Sequence, residues 1–155
     1  MATAIQSKLV KIFLLISVLL ITFAVIRFFS ENKVTVARVI DGDTVELRSG
    51  ESVRLLGIDA PEKNQYYHDD ATKRLRQLVE GKKVVLEKDV NNRDRYGRLL
   101  RYVYVDGLFV NLEMVKEGYA ALFTTPKNVK YLNEFQKAEN EAKEKGIGVW
   151  SLIKS

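Results

Sequence analysis

Apolar and polar positions divide the chain into two unlike parts. From Ile12 to Ile26 every residue is apolar except Ser17 and Thr22, and no acid occurs between Met1 and Ser30. Fifteen helical residues rise only about 22 Å against a hydrocarbon core of roughly 30 Å. A span must therefore recruit its flanks, where Leu9, Val10, Phe28 and Phe29 are apolar and Lys11 and Arg27 can snorkel toward headgroups. The pattern predicts an N-terminal transmembrane helix within residues 1–30, retained as an uncleaved anchor. The competing expectation is a cleaved signal peptide with Lys8 and Lys11 as its basic region. Its one small-x-small site, Thr22-Phe23-Ala24, lies inside the apolar run rather than beyond it. Lys8, Lys11 and the amino terminus precede the segment, while Glu31 partly offsets Arg27 and Lys33 after it. The charge bias leans toward a cytoplasmic N-terminus and a domain outside the cytoplasm.

Residues 31–155 read as a second domain of short β-rich runs separated by turn residues. Val34–Ile40 predicts a first strand ending at Asp41-Gly42. Thr44–Arg48 alternates Val45 and Leu47 inward with Glu46 and Arg48 outward, so the two form a hairpin. Ser49-Gly50 turns into a third strand, Ser52–Ile58, apolar on both faces and stopped by Pro61. A helix is expected from Asp69 or Asp70, with Ala71, Leu75, Leu78 and Val79 on one face and Gly81 after it. Val84–Lys88 and Leu99–Val105 predict the fourth and fifth strands. Leu112 and Val115, then Leu132, Phe135, Ala138 and Ala142, mark two more helices. The expected fold class is α+β, mainly β: a five-stranded OB-type barrel with three helices, a form that binds oligonucleotides.

Composition narrows the chemistry. The chain has 155 residues, no cysteine and a single histidine, His68, which excludes disulfide scaffolds, Cys-ligated metals and His-rich metal clusters. The formal charge is +5, and its distribution matters more than its size. Lys8, Lys11 and Arg27 belong to the membrane segment. Glu31–Thr72 holds five basic and nine acidic residues, Lys73–Arg101 ten and four, and Tyr102–Ser155 seven of each. An acidic section that can hold a cation is followed by a basic one that can hold phosphates.

Three clusters carry candidate chemistry: Asp41-Gly42-Asp43-Thr44, Arg54 with Asp59-Ala60-Pro61-Glu62, and Arg95-Tyr96-Gly97-Arg98. Each alone also reads as an ordinary hairpin turn, strand stop or solvated bend. Together they form a set. Asp43 and Asp59 stand at strand ends that neighbouring strands can bring together, and a hard cation such as calcium suits paired carboxylates. Glu62 could act as a general base or position a water beside the ion. Arg54 and Arg98 are planar, permanently charged donors that match phosphate oxygens and the extra charge of a five-coordinate phosphorus.

The runs V-I-D-G-D-T-V-E-L, V-R-L-L-G-I-D-A-P-E and D-R-Y-G-R-L-L resemble the thermonuclease family. The likeness extends from about Val34 to Trp150, through V-N-L-E-M-V-K-E-G-Y-A and G-V-W-S. It implies an OB barrel with three helices and calcium-dependent hydrolysis of DNA and RNA leaving 3′-phosphate ends. By motif, it implies metal ligation by Asp43, Asp59 and the backbone carbonyl of Ala60, catalysis by Arg54, Glu62 and Arg98, and phosphate contact by Arg95 and Tyr96. Three positions depart from the family's prototype. Ala60 replaces a threonine whose ligating atom is main-chain, the loop after Glu62 is shorter, and Phe123-Thr124 stands near the base-stacking tyrosine. Phe123 can still stack on a base.

The expectation is therefore a calcium-dependent nuclease, monomeric, acting on single-stranded or locally melted DNA or RNA. It is anchored in a membrane, or secreted if the leader is cleaved. The alternative is a non-catalytic OB-fold module that binds nucleic acid at the membrane surface. Three acids in a phosphate groove would repel such a ligand, which favours the enzyme. His68 is expected as a surface loop residue, Tyr66 and Tyr67 as a shield for the barrel or as base-stacking groups, and Trp150 as packing for the last helix. Lys137, Lys143 and Lys145, alternating with Glu139, Glu141 and Glu144, are expected on a solvated helix face.

Overall fold

A computed structural model describes residues 13–22, 33–125, 127–128 and 130–154. The chain divides into two compact units, residues 1–33 and 34–155. In the first, residues 13–22 are helical and their apolar side chains are mostly exposed. Among the described residues no helix is long and apolar enough to cross a membrane. The rest of the expected span, residues 1–12 and 23–30, lies outside the described residues.

The second unit is the barrel. Strands β1 (Lys33–Val39), β2 (Thr44–Leu47) and β3 (Ser52–Leu55) form an antiparallel meander. The register Val36↔Leu47 and Val39↔Val45 keeps β-branched and leucine side chains on one face, and a bulge between Val36 and Arg38 bends β1. Strand β5 (Lys83–Glu87) continues the sheet from β1 and pairs antiparallel with β6 (Leu99–Val105). Closure is made by β3 and β6, which run parallel with Val53↔Leu99, Arg54↔Leu100 and Leu55↔Arg101. Val36, Val45, Val53, Leu55, Val84 and Val103 are almost fully buried in the interior, so the alternation read in the sequence is the inside-outside alternation of a small barrel.

One expectation about strand ends changes. The third strand stops at Leu55 rather than Ile58. Gly57 takes φ 81°, and a Cβ there would sit 2.4 Å from the Phe135 ring. The chain turns at that point, and Ile58–Asp59 forms a separate short strand, β4, paired with β8 (Ala121–Leu122). A two-residue strand β7 (Leu108–Phe109) extends β6 through a tight turn.

Three helices cover the barrel: α1 (His68–Val79), α2 (Val110–Lys116) and α3 (Leu132–Lys145). Helix α1 buries Ala71, Leu75, Leu78 and Val79, the expected face, but begins one residue before Asp69. Asp69 and Asp70 lie in its first turn, while Tyr67 precedes it at φ 71° without a side-chain cap. Helix α2 brings in Asn111, fully buried, whose Oδ1 accepts from the Val103 amide at 2.8 Å. Its Nδ2 donates to the carbonyls of Leu56 at 2.8 Å and Arg101 at 3.2 Å. That one side chain ties the end of β3 to β6 at the closure. On α3, Phe135 and Ala138 are buried against the barrel, and Lys143 pairs with Glu139. Trp150, in the final 3-10 turn, is half-buried with the Lys143 ammonium 4.4 Å from its ring centre.

Candidate active site

Five parts of the chain meet at one mouth of the barrel around a cleft of about 440 Å³. The β1–β2 turn contributes Asp41 and Asp43, β3 contributes Arg54, and β4 with the turn after it contributes Asp59 and Glu62. The turn before β6 adds Asp94, Arg95, Tyr96 and Arg98, and the segment after β8 adds Phe123, Thr125 and Asn128. Every candidate residue except Ala60 lines this cleft. Ala60 is buried beside it, its amide donating to Asp43 Oδ2 at 2.9 Å.

Close packing places Asp43. At Gly42 a Cβ would fall 2.5 Å from Ala60 Cβ and 2.9 Å from Ala71 Cβ, so only glycine lets the β1–β2 turn press against β4 and α1. Asp41 Oδ1 accepts from the Asp43 amide at 3.1 Å, and Thr44 Oγ1 donates to Asp43 Oδ1 at 2.9 Å. Asp43 is only 7% exposed. Burial pushes its carboxyl up to about 6; the Arg54 charge and the Ala60 amide oppose that rise, and Asp41 adds to it.

Arg54 is held on every side. Nη1 donates to the carbonyls of Leu55 at 3.0 Å and Ile58 at 2.8 Å, across the turn at Gly57. Nη2 lies 2.7 Å from Asp59 Oδ1 and 3.0 Å from Asp43 Oδ2. The two carboxylates expected as a pair are therefore brought together, bridged by the guanidinium. Two carboxylates held by one nitrogen face a common point, and the flexible coordination of calcium suits such a pair. All the donors are hard oxygens, which fits that ion. No group of three or more His, Cys, Asp or Glu residues among those described is arranged as a metal cluster. Backbone carbonyl and water would supply the remaining ligands.

Arg98 is placed by a residue that the motif reading passed over as part of D-R-Y-G-R. Asp94 Oδ1 accepts from the amides of Tyr96 at 2.9 Å and Arg98 at 3.0 Å, and Oδ2 takes Arg98 Nε at 2.7 Å. This is an Asx turn whose signature, Asp two residues before the bend, was present in the sequence. Burial alone would raise the Asp94 carboxyl, but the Arg98 and Tyr96 hydrogen bonds outweigh it and hold it below the usual range. Arg98 Nη1 reaches toward Thr44 Oγ1 at 3.4 Å, linking this turn to the Asp43 turn. Tyr96 is exposed between two cations. Arg95 lies 4.7 Å and Arg98 5.5 Å from its ring centre, and Arg95 Nη2 donates to the hydroxyl at 2.6 Å.

Glu62 faces the cleft from an exposed turn. Across from it Phe123 is 51% exposed, free to offer a ring face to a base. Asn128, not anticipated, is buried in the wall and accepts from the Asn91 amide at 2.9 Å. His68 is not a free loop residue. It opens α1, half-buried, with Nδ1 2.8 Å from the Pro61 carbonyl. Tyr67 packs between Tyr66 and Tyr119, with ring centres 5.2 and 5.7 Å away, which is the shielding role.

Comparison with known proteins agrees with this geometry. The family model described as staphylococcal nuclease homologue matches residues 52–152. The SPbeta prophage-derived endonuclease YokF of Bacillus subtilis (strain 168) is 43% identical over 129 residues, covering 76% of this chain and 44% of that protein. Endonuclease YncB of the same strain is 42% identical over 129 residues, covering 76% and 61%. A thermonuclease of Staphylococcus intermedius is 36% identical over 124 residues, covering 74% of each. The chain thus spans about half the length of the two Bacillus relatives and about three quarters of the staphylococcal one.

Proposed function

The chain belongs to the staphylococcal nuclease homologue family, and from that premise we propose that it is a calcium-dependent nuclease hydrolysing phosphodiester bonds in DNA, RNA or both. The observation that carries the reading is the parallel β3–β6 pairing, which brings Arg54 on β3 and Arg98, immediately before β6, to one cleft with Asp43, Asp59 and Glu62. A groove made only to bind a phosphate backbone gains nothing from three acids.

The residues divide the labour. Asp43, Asp59 and the Ala60 carbonyl would hold calcium, which supplies a Lewis acid to neutralise phosphoryl charge. Arg54 and Arg98 present guanidinium groups to the non-bridging oxygens, where their donors are worth most as negative charge builds on phosphorus. Glu62, on the open side of the cleft, accepts a proton from the attacking water. Arg95 and Tyr96 grip the phosphate at the rim, and Phe123 stacks on an unpaired base, which favours single-stranded or locally melted substrate. Every group comes from one chain, which supports a monomer as the active unit.

We place the domain outside the cytoplasm, tethered by the N-terminal segment. The acid-free apolar run and the exposed apolar helix at residues 13–22 support this. Calcium-dependent cleavage of single-stranded DNA or RNA by the purified chain, abolished by chelation, is the expected result; absence of cleavage with calcium present overturns the enzyme reading. N-terminal sequencing of the mature protein tests the tether, and a start beyond Ala24 would make it a secreted enzyme instead.

A further inference from the structure

The single histidine and a neighbouring glutamine converge on the backbone that carries Glu62. Glu62 follows Pro61, and three main-chain groups fix its position: the Pro61 carbonyl, its own amide and its own carbonyl. Each has a partner in the next six residues. His68 Nδ1 lies 2.8 Å from the Pro61 oxygen. That oxygen only accepts, so the ring nitrogen carries the proton and donates it. Gln65 Oε1 accepts from the Glu62 amide at 2.7 Å, and the Gln65 amide donates to the Glu62 carbonyl at 2.9 Å. The circuit closes through the His68 amide, which donates to the Gln65 carbonyl at 3.3 Å.

Backbone conformation points the same way. Asn64 and Tyr67 take φ values of 73° and 71°; asparagine tolerates this left-handed conformation, but a bulky tyrosine holds it only when its surroundings impose it. These two residues flank Gln65 and His68. The short loop after Glu62 is thus bent so that two side chains and the Gln65 amide turn back on Pro61 and Glu62. Helix α1, its other end buried through Leu75, Leu78 and Val79, provides the fixed base from which His68 reaches.

We infer that Gln65 and His68 are positioning residues that clamp the Pro61-Glu62 backbone and so aim the Glu62 carboxylate at the attacking water. The inference rests on Glu62 acting as the general base proposed above. It gives the solvent-exposed Glu62 a fixed backbone: a base on a free loop would sample many directions, and a misplacement of about 1 Å can reduce turnover by about a hundredfold.

The test is steady-state hydrolysis by the full chain with four variants: His68→Ala, His68→Asn, Glu62→Gln and the double variant Glu62→Gln/His68→Ala. Asparagine carries an amide N–H close to the place of Nδ1, whereas alanine carries none. His68→Ala is expected to lower kcat by roughly tenfold to a hundredfold with KM nearly unchanged, and His68→Asn to recover most of that loss. In the Glu62→Gln background the same alanine change should have little further effect, because the aimed group is already gone. Equal losses in both backgrounds, or a loss that asparagine does not recover, would show that His68 serves the fold alone and overturn the clamp. Wild-type turnover in Glu62→Gln would instead overturn the role of Glu62, and the clamp with it. Should His68→Ala fail to fold, Gln65→Ala measured in both Glu62 backgrounds decides the same question.

Discussion

Replacing Asp43 by asparagine should make the metal-free protein more stable while abolishing its activity, and the size of the gain should depend on pH. Asp43 is nearly the size and shape of asparagine and sits 7% exposed among Thr44, Ala60 and Arg54. Burial raises its carboxyl from 3.8 to about 6. Between those values the folded chain keeps a proton that the unfolded chain has released, so raising the pH disfavours folding by up to about 1.4 kcal/mol per pH unit. The penalty is absent below pH 4, grows through pH 4–6 and is constant above, reaching about 3 kcal/mol. The asparagine variant has no such group. The Arg54 attraction is already contained in that net shift, so the variant forfeits only what remains of a neutral hydrogen bond there. Chelated urea melts of both proteins from pH 4 to pH 8 give the difference directly. The variant's margin over wild type should rise by about 1–3 kcal/mol between pH 4 and pH 7 and then stay flat. A margin that does not change with pH would refute the reasoning, because it would mean that Asp43 is solvated well enough to ionise normally.

Three other perturbations probe different parts of the structure. Asn111→Ala strands the Val103 amide and the Leu56 carbonyl in the core and should cost about 2–5 kcal/mol in denaturant melts; a loss below about 1 kcal/mol would mean that water replaces the side chain. Gly42→Ala forces the β1–β2 turn away from Ala60 and α1 and should destabilise by about 1–3 kcal/mol. Its calcium requirement, read from activity against free calcium, should rise as well, and an unchanged requirement would detach the turn from the cation site. Asp94→Ala releases the Arg98 guanidinium and two amides; kcat should fall by about tenfold or more while circular dichroism stays native, and a wild-type kcat would show that Arg98 needs no such support.

Strand β6 was legible to the residue because an aliphatic and aromatic run, broken only by Arg101, lies between Gly97 and a strong Asp-Gly turn. Strand β3 was read too long, since Leu56 and Ile58 continue the alternation while Gly57, with its positive φ, quietly ends the ladder. Two-residue strands such as β7 and β8 are shorter than any period and leave no pattern. In the site, the acids and arginines were legible as motifs because their chemistry demands particular residue types. Their present partners were not. That Arg54 spans two carboxylates and two carbonyls follows from the bend at Gly57 and from β3–β6 closure, a pairing between strands more than forty residues apart. Gln65 and His68 meet the backbone through hydrogen bonds that many residue types can make, so no motif marked their partners, whereas Asp94 carried the Asx-turn signature.

The same closure bears on when the nuclease proposed above could act. Arg54 on β3 and Arg98, immediately before β6, lie far apart along the chain, and the parallel seam between β3 and β6 brings them to one cleft. The entropy of closing so long a loop must be overcome before the two guanidinium groups can face the same ligand. On that proposal, a nascent chain or one unfolded by heat holds every proposed catalytic side chain and no assembled site. Activity would belong to the closed barrel alone. A nuclease built this way would need no inhibitor while it is being made.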